Sequence, residues 1–126
     1  MKRILVVDDD PSILASTKTA LEHEGFDVLA MADGENILTQ VAAYRPDLVL
    51  LDFNIGNYGN GRKIGDQIKK HFNTSQIRLL LFSAGISDES ELNRRHFRHF
   101  DGFIAKPYDL DAMVNKIHQL TDQQKV

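Results

Sequence analysis

Asp8, Asp9 and Asp10 follow directly on the apolar run "ILVV", Asp52 closes "LVLL", Ser83 closes "IRLLLF", and Lys106 follows "GFIA". A carboxylate is a competent nucleophile toward phosphorus, and a fixed ammonium offsets the charge spread over the equatorial oxygens of a transferring phosphoryl group. Three gathered carboxylates repel one another unless a cation neutralises them, and all-oxygen ligation favours a hard ion such as magnesium. Such an ion takes few protein ligands and keeps several waters. A site using Asp9, Asp52, one backbone carbonyl and a phosphate oxygen is therefore chemically complete, with Asp8 acting through a bound water.

For that chemistry the side chains must converge, and the order of elements supplies the means. "RILVVDDD" reads as a strand buried on both faces with acids at its carboxyl end. Asp10 is an N-cap with Pro11 at the first helical position, and Ile13, Leu14, Thr17 and Leu21 share one face until Gly25. A strand near "FDVLAM", a helix through Ile37, Leu38 and Val41 ending before Pro46, and a strand "DLVLLD" follow. Next come a helix with Ile64, Ile68 and Phe72, the strand "IRLLLF", a polar helix from a capping box at Asp88 and Glu91, the strand "GFIA", and a last helix. Asp109 caps that helix, which carries Leu110, Met113, Val114 and Ile117.

Five strands alternating with five helices in this length predict an α/β fold: a parallel five-stranded sheet in the flavodoxin-like order 2-1-3-4-5, with right-handed crossovers and helices on both faces. One domain, 1–126, is expected. Ligands bind such sheets at the carboxyl ends of the strands, where Asp8, Asp9, Asp52, Ser83 and Lys106 all fall.

Composition narrows the partners. A net charge of −3 without a long basic block gives no electrostatic reason for direct nucleic-acid binding. No cysteine is present, which excludes disulfides and thiolate metal sites. The apolar start is too short for a signal peptide or membrane span, so a soluble, cytoplasmic protein is expected.

The segments "VVDDDP", "LVLLDFN", "LFSAG" and "FIAKP", in this order at four strand ends, closely resemble those of response-regulator receiver domains, and the resemblance runs essentially end to end. It implies a non-enzymatic signalling domain that is phosphorylated on an aspartate, depends on Mg2+, and loses the group slowly by its own activity. Residue by residue, it makes Asp52 the phosphoacceptor, Asp9 a direct metal ligand, Asp8 an outer acidic partner, and the Asn54 backbone carbonyl a further ligand. The Ser83 hydroxyl and Ala84 amide would bind the phosphoryl group, with Lys106 paired to it. A cis peptide bond between Lys106 and Pro107 is also implied, and such bonds are plausible only before proline. The implied partners are a histidine kinase or histidine phosphotransfer protein, and a downstream target or the chain's own output domain. A homodimer is compatible with this. The implied switch couples Ser83 to Phe103, whose lack of a hydroxyl rules out a hydrogen-bonded inward state. Phosphorylation would then repack the face of the fourth helix, fifth strand and fifth helix.

The chain departs from the family pattern after Asp52, where Gly56 replaces a usual proline and "NYGNG" is apparently one residue longer. The loop over 53–61 should be looser, either as tolerated drift or as tuning of phosphotransfer, with Tyr58 covering the site or facing solvent.

Plainer readings hold elsewhere. Asp10 is a helix cap and no part of the site. His96 and His99 among Arg94, Arg95 and Arg98 form a solvated helix face, with protein docking as the alternative. Ile13, Leu14, Met113, Val114 and Ile117 are mostly core, those near the site being able to dock a kinase helix. Two other functions compete with the phosphoacceptor: a phosphorylation-independent interaction module on the same fold, and an aspartyl-phosphate phosphohydrolase. The latter pattern has a second acid where this chain has Asn54. The chain reads as a stand-alone receiver or part of a longer regulator.

Overall fold

The computed structural model describes residues 1–52, 61–71, 77–83, 100–105 and 108–122. Five strands form one sheet: β1 (Arg3–Val7), β2 (Asp27–Met31), β3 (Leu48–Asp52), β4 (Arg78–Ser83) and β5 (Gly102–Ala105). Their order is β2-β1-β3-β4-β5, with every adjacent pair parallel. This is the expected topology.

Four helices lie among the described residues: α1 (Pro11–His23), α2 (Ile37–Tyr44), α3 (Gly61–His71) and α4 (Leu110–Asp122). The helix expected from Asp88 and the loop after Asp52 lie outside the described residues.

Strand sequence explains strand position. From Leu48 to Asp52 every residue of β3 is buried, as its unbroken apolar run requires of a strand covered on both faces. At the sheet's edge, β2 keeps its first residue exposed and its last three half-buried.

Alternation along the strands divides the core in two. Leu5, Val7, Val49, Leu51, Leu79 and Leu81 meet Ile37 and Val41 of α2 and Ile64 and Ile68 of α3 on one face. On the other, Ile4, Val6, Leu48, Leu50, Leu80 and Phe82 meet Leu21 of α1 and Met113, Ile117 and Leu120 of α4. Close approach is built in at Gly65 of α3: a Cβ there would lie 2.6 Å from Cζ of Phe100, so a larger residue would have to displace that ring.

Helix ends follow their local chemistry. Asp10 accepts hydrogen bonds from the amides of Ser12 and Ile13, at 2.9 and 3.2 Å, and Pro11 fills the first position of α1. Before Pro46, α2 stops with Arg45 in the left-handed region (φ 56°), its amide reaching the Val41 carbonyl at 2.9 Å.

Candidate functional site

Register alone brings the acids together. Val7 of β1 pairs with Leu51 of β3, so the next residues, Asp8 and Asp52, end their strands at the same level. Asp52 in turn pairs with Phe82, one residue before Ser83. Ser83 pairs with Ala105, immediately before Lys106 in the chain. Asp8, Asp52 and Ser83 therefore fall at the carboxyl edge of neighbouring strands, as a parallel sheet demands.

Asp8 continues the ladder one residue past β1, its amide donating to the Met31 carbonyl at 3.1 Å. Its side chain is fully buried, and Oδ1 accepts the Asp10 amide at 2.9 Å. Asp9 is exposed, while Asp52 is only 6% exposed. Asp8, Asp9 and Asp52 each place a carboxylate oxygen within 4.8 Å of the others. An all-carboxylate donor set of this kind, with Asp8 and Asp52 buried and Asp9 open to solvent, is the chemistry of a hard divalent cation such as Mg2+, which prefers oxygen ligands.

The neighbouring Asp10 points its carboxylate at the start of α1 and spends it on capping. Sequence reasoning left it out of the cluster, and the structure does the same.

Of the other residues singled out, Asn54, Ala84, Lys106 and Pro107 lie outside the described residues, as do Gly56, Tyr58, Arg94, Arg95, His96, Arg98 and His99. Ser83 is described in its backbone as the last residue of β4. Phe103 is half-buried and packs against the core shared with α2 and α3. Ile13 and Leu14 are half-buried, whereas Met113 and Ile117 are fully buried.

Two polar features escaped the sequence reading. Thr17, fully buried in α1, lies with its Oγ1 3.2 Å from the hydroxyl of Tyr108. At the opposite end of the sheet, Asp101 accepts from Lys69 Nζ at 3.2 Å, Arg78 Nη1 at 3.3 Å and the Leu79 amide at 2.8 Å. A threonine at a core position of a helical stripe was the one available signal for the first. The second joins residues 32 and 23 apart, and no local pattern encodes it.

No helix among the described residues is long and apolar enough to cross a membrane.

The sequence matches the family described as "Response regulator receiver domain" over residues 4–118. Among curated proteins, the chain is 31% identical over 116 residues to the CAI-1 autoinducer sensor kinase/phosphatase CqsS of Vibrio cholerae, covering 92% of this chain and 17% of that protein. It is 29% identical over 124 residues to the response regulator ArlR of Staphylococcus saprophyticus, covering 98% of this chain and 54% of that protein. Another relative is named a DNA-binding response regulator, MtrA of Mycolicibacterium smegmatis; 51 residues match at 55% identity, 40% of this chain and 22% of that protein. The chain thus spans about half or less of the length of these relatives. Among solved structures, a CheY-like response regulator receiver domain protein from Methanospirillum hungatei superposes with a TM-score of 0.85 at 26% identity, covering 99% and 97% of the two chains. The response regulator TrrA from Thermotoga maritima, solved in complex with Mg(2+)-BeF, gives 0.82 at 28% identity over 95% and 99%. With the fold, the acid cluster and the family match over nearly the whole length in agreement, the chain belongs to the response regulator receiver domain family.

Proposed function

We propose that this receiver domain, acting as one unit over 1–126, accepts a phosphoryl group on Asp52 from a histidine kinase or a histidine phosphotransfer protein, in a magnesium-dependent reaction. The observation that carries this reading is the meeting of Asp8, Asp9 and Asp52 within 4.8 Å at the carboxyl edge of β1 and β3.

In the proposed step a carboxylate oxygen of Asp52 attacks phosphorus, the P–N bond of the donor's phosphohistidine breaks, and the imidazole leaves with the electron pair. An acyl phosphate then stands on Asp52. Asp9, Asp52 and the Asn54 carbonyl would hold Mg2+, with Asp8 as the outer acid. When bound, the ion offsets charge on the phosphoryl oxygens and among the carboxylates. Lys106 supplies a second positive charge, and the Ser83 hydroxyl and Ala84 amide donate hydrogen bonds to the phosphoryl oxygens. Water later removes the group slowly.

Output follows from the same edge of the sheet. Ser83 ends β4 and Phe103 lies on β5 beside it, paired with Leu81. Drawing Ser83 toward the phosphoryl group lets Phe103 reorient and repack the surface beside β5, which a protein target or an attached output domain reads.

Intact-protein mass spectrometry after incubation with acetyl phosphate tests the reading. A gain of one phosphoryl group that requires Mg2+ and vanishes in Asp52→Asn is expected. No gain, together with no Mg2+ binding, would leave a phosphorylation-independent interaction module.

A further inference from the structure

We infer that Tyr108 is a positioning residue for phosphotransfer: its hydroxyl, held by Thr17, fixes the segment that follows Lys106 against the helix that follows the acid pair. The inference rests on the phosphoacceptor reading and deepens it.

The connection is unbroken on the acid side. The Asp10 amide bonds to Asp8, and the Asp10 carboxylate caps the first turn of α1. Thr17 stands six residues into that helix, about 9 Å along its axis at the usual rise. From there the contact crosses to Tyr108, 91 residues away in sequence and two residues after Lys106. Any shift of α1 relative to this segment must break or carry the bond.

The residue types argue for a role beyond filling space. Tyr108 is half-buried and packs against the apolar core shared by α1, α4 and the sheet, a setting that a phenylalanine ring would also suit. Thr17 is fully buried in the middle of a helix, where a threonine is less favourable than leucine or alanine. Two hydroxyls facing each other in an apolar setting form a directional tie, because neither is satisfied by sliding past the other. The Asp109 carbonyl, next in the chain, accepts from the Met113 amide at 3.0 Å and so starts α4. Tyr108 is therefore held between a helix start and the α1 tie.

The test measures the rate of phosphorylation by acetyl phosphate at saturating Mg2+, alongside Mg2+ affinity and the urea midpoint. Tyr108→Phe is expected to slow phosphorylation about fivefold, on the order of one hydrogen bond's net contribution, while leaving Mg2+ affinity unchanged. Thr17→Val, which keeps the volume, should match it, and the double variant should be no slower than either alone. In a Lys106→Met background, where no ammonium remains to be placed, Tyr108→Phe should change nothing further. A wholly structural role would lower the urea midpoint without this dependence on Lys106. If the wild type is phosphorylated and Tyr108→Phe matches its rate, or slows equally without Lys106, the inference is overturned. A wild type that takes no phosphoryl group overturns the phosphoacceptor reading and this inference with it.

Discussion

At the amino end of the sheet Asp101 sits between Lys69 and Arg78, Lys2 meets Thr121 and Asp122, and Asp47 accepts the Arg3 amide at 2.9 Å. At the carboxyl end Asp8, Asp9 and Asp52 crowd one another within 4.8 Å. The same residue type thus serves opposite ends: there as the partner of cations that tie helices to strands, here as a concentration of like charge. Lys69, on the last turn of α3, also donates to the Ile77 carbonyl at 3.0 Å, so the amino-end network spans α3, β4 and the approach to β5. Removing a carboxylate should therefore have opposite signs at the two ends.

The largest expected effect is at the amino end. Asp101→Ala removes an ion-pair partner from Lys69, whose side chain is 5% exposed, and from Arg78, and takes an acceptor from the Leu79 amide. Urea unfolding should show a loss of about 3 kcal/mol, at the low end for a broken buried pair because Asp101 and Arg78 both retain 20% exposure. A loss below about 1 kcal/mol would put this network with ordinary surface ion pairs and dissolve the contrast.

At the carboxyl end, Mg2+ should raise stability by mass action, about 2.7 kcal/mol at a concentration a hundredfold above its Kd. Thermal unfolding with and without the ion measures this, and Asp9→Asn should abolish most of the gain. A smaller effect of reversed sign is expected for Asp52→Asn in divalent-free buffer. Relieving repulsion among the three carboxylates should raise the urea midpoint by the equivalent of about 1 kcal/mol. A fall instead would mean that Asp52 contributes more as a hydrogen-bonding group than it costs as a charge.

The difference between the ends also explains what the sequence discloses. The carboxyl-end acids are legible because each ends a strand, and parallel register converts "ends a strand" into "shares an edge": Val7 opposite Leu51 places Asp8 beside Asp52. Helix bounds are legible where a local signal exists, as with Asp10 and Pro11 for α1 and Pro46 after α2. The amino-end network is not, because Lys69, Arg78 and Asp101 come from three elements and each looks like an ordinary charged residue in its own segment. Tyr108 was hidden for a related reason, since an aromatic residue after "AKP" reads as core until Thr17 is seen across from it. Chemistry written into one strand end can be read; chemistry assembled by packing cannot.

The smallest effect sharpens the comparison at the amino end without touching an ion pair. Arg3 donates through Nη1 to the Tyr44 carbonyl at 2.9 Å and lies 5.8 Å from the centre of its ring. The Tyr44 hydroxyl is enclosed, and burial, then a contact with the Asp27 carboxylate outside good hydrogen-bond geometry and that carboxylate's negative charge, push its pKa well above the ordinary 10.0. Below pH 10 both folded and unfolded chains keep the proton. Above it the unfolded chain releases the proton while the folded chain retains it, so the folded state binds more protons and stability falls as pH rises toward the raised value. The slope should stay well under the one-proton limit of about 1.4 kcal/mol per pH unit, because the ring is only partly buried and solvent screens the charge. Tyr44→Phe should leave stability at pH 7 within about 0.5 kcal/mol of wild type, since the lost hydroxyl has no good acceptor, and should flatten the decline between pH 10 and 11. If the decline persists unchanged in the variant, the alkaline sensitivity does not come from Tyr44, and its enclosed hydroxyl plays no part in the amino end's response to pH.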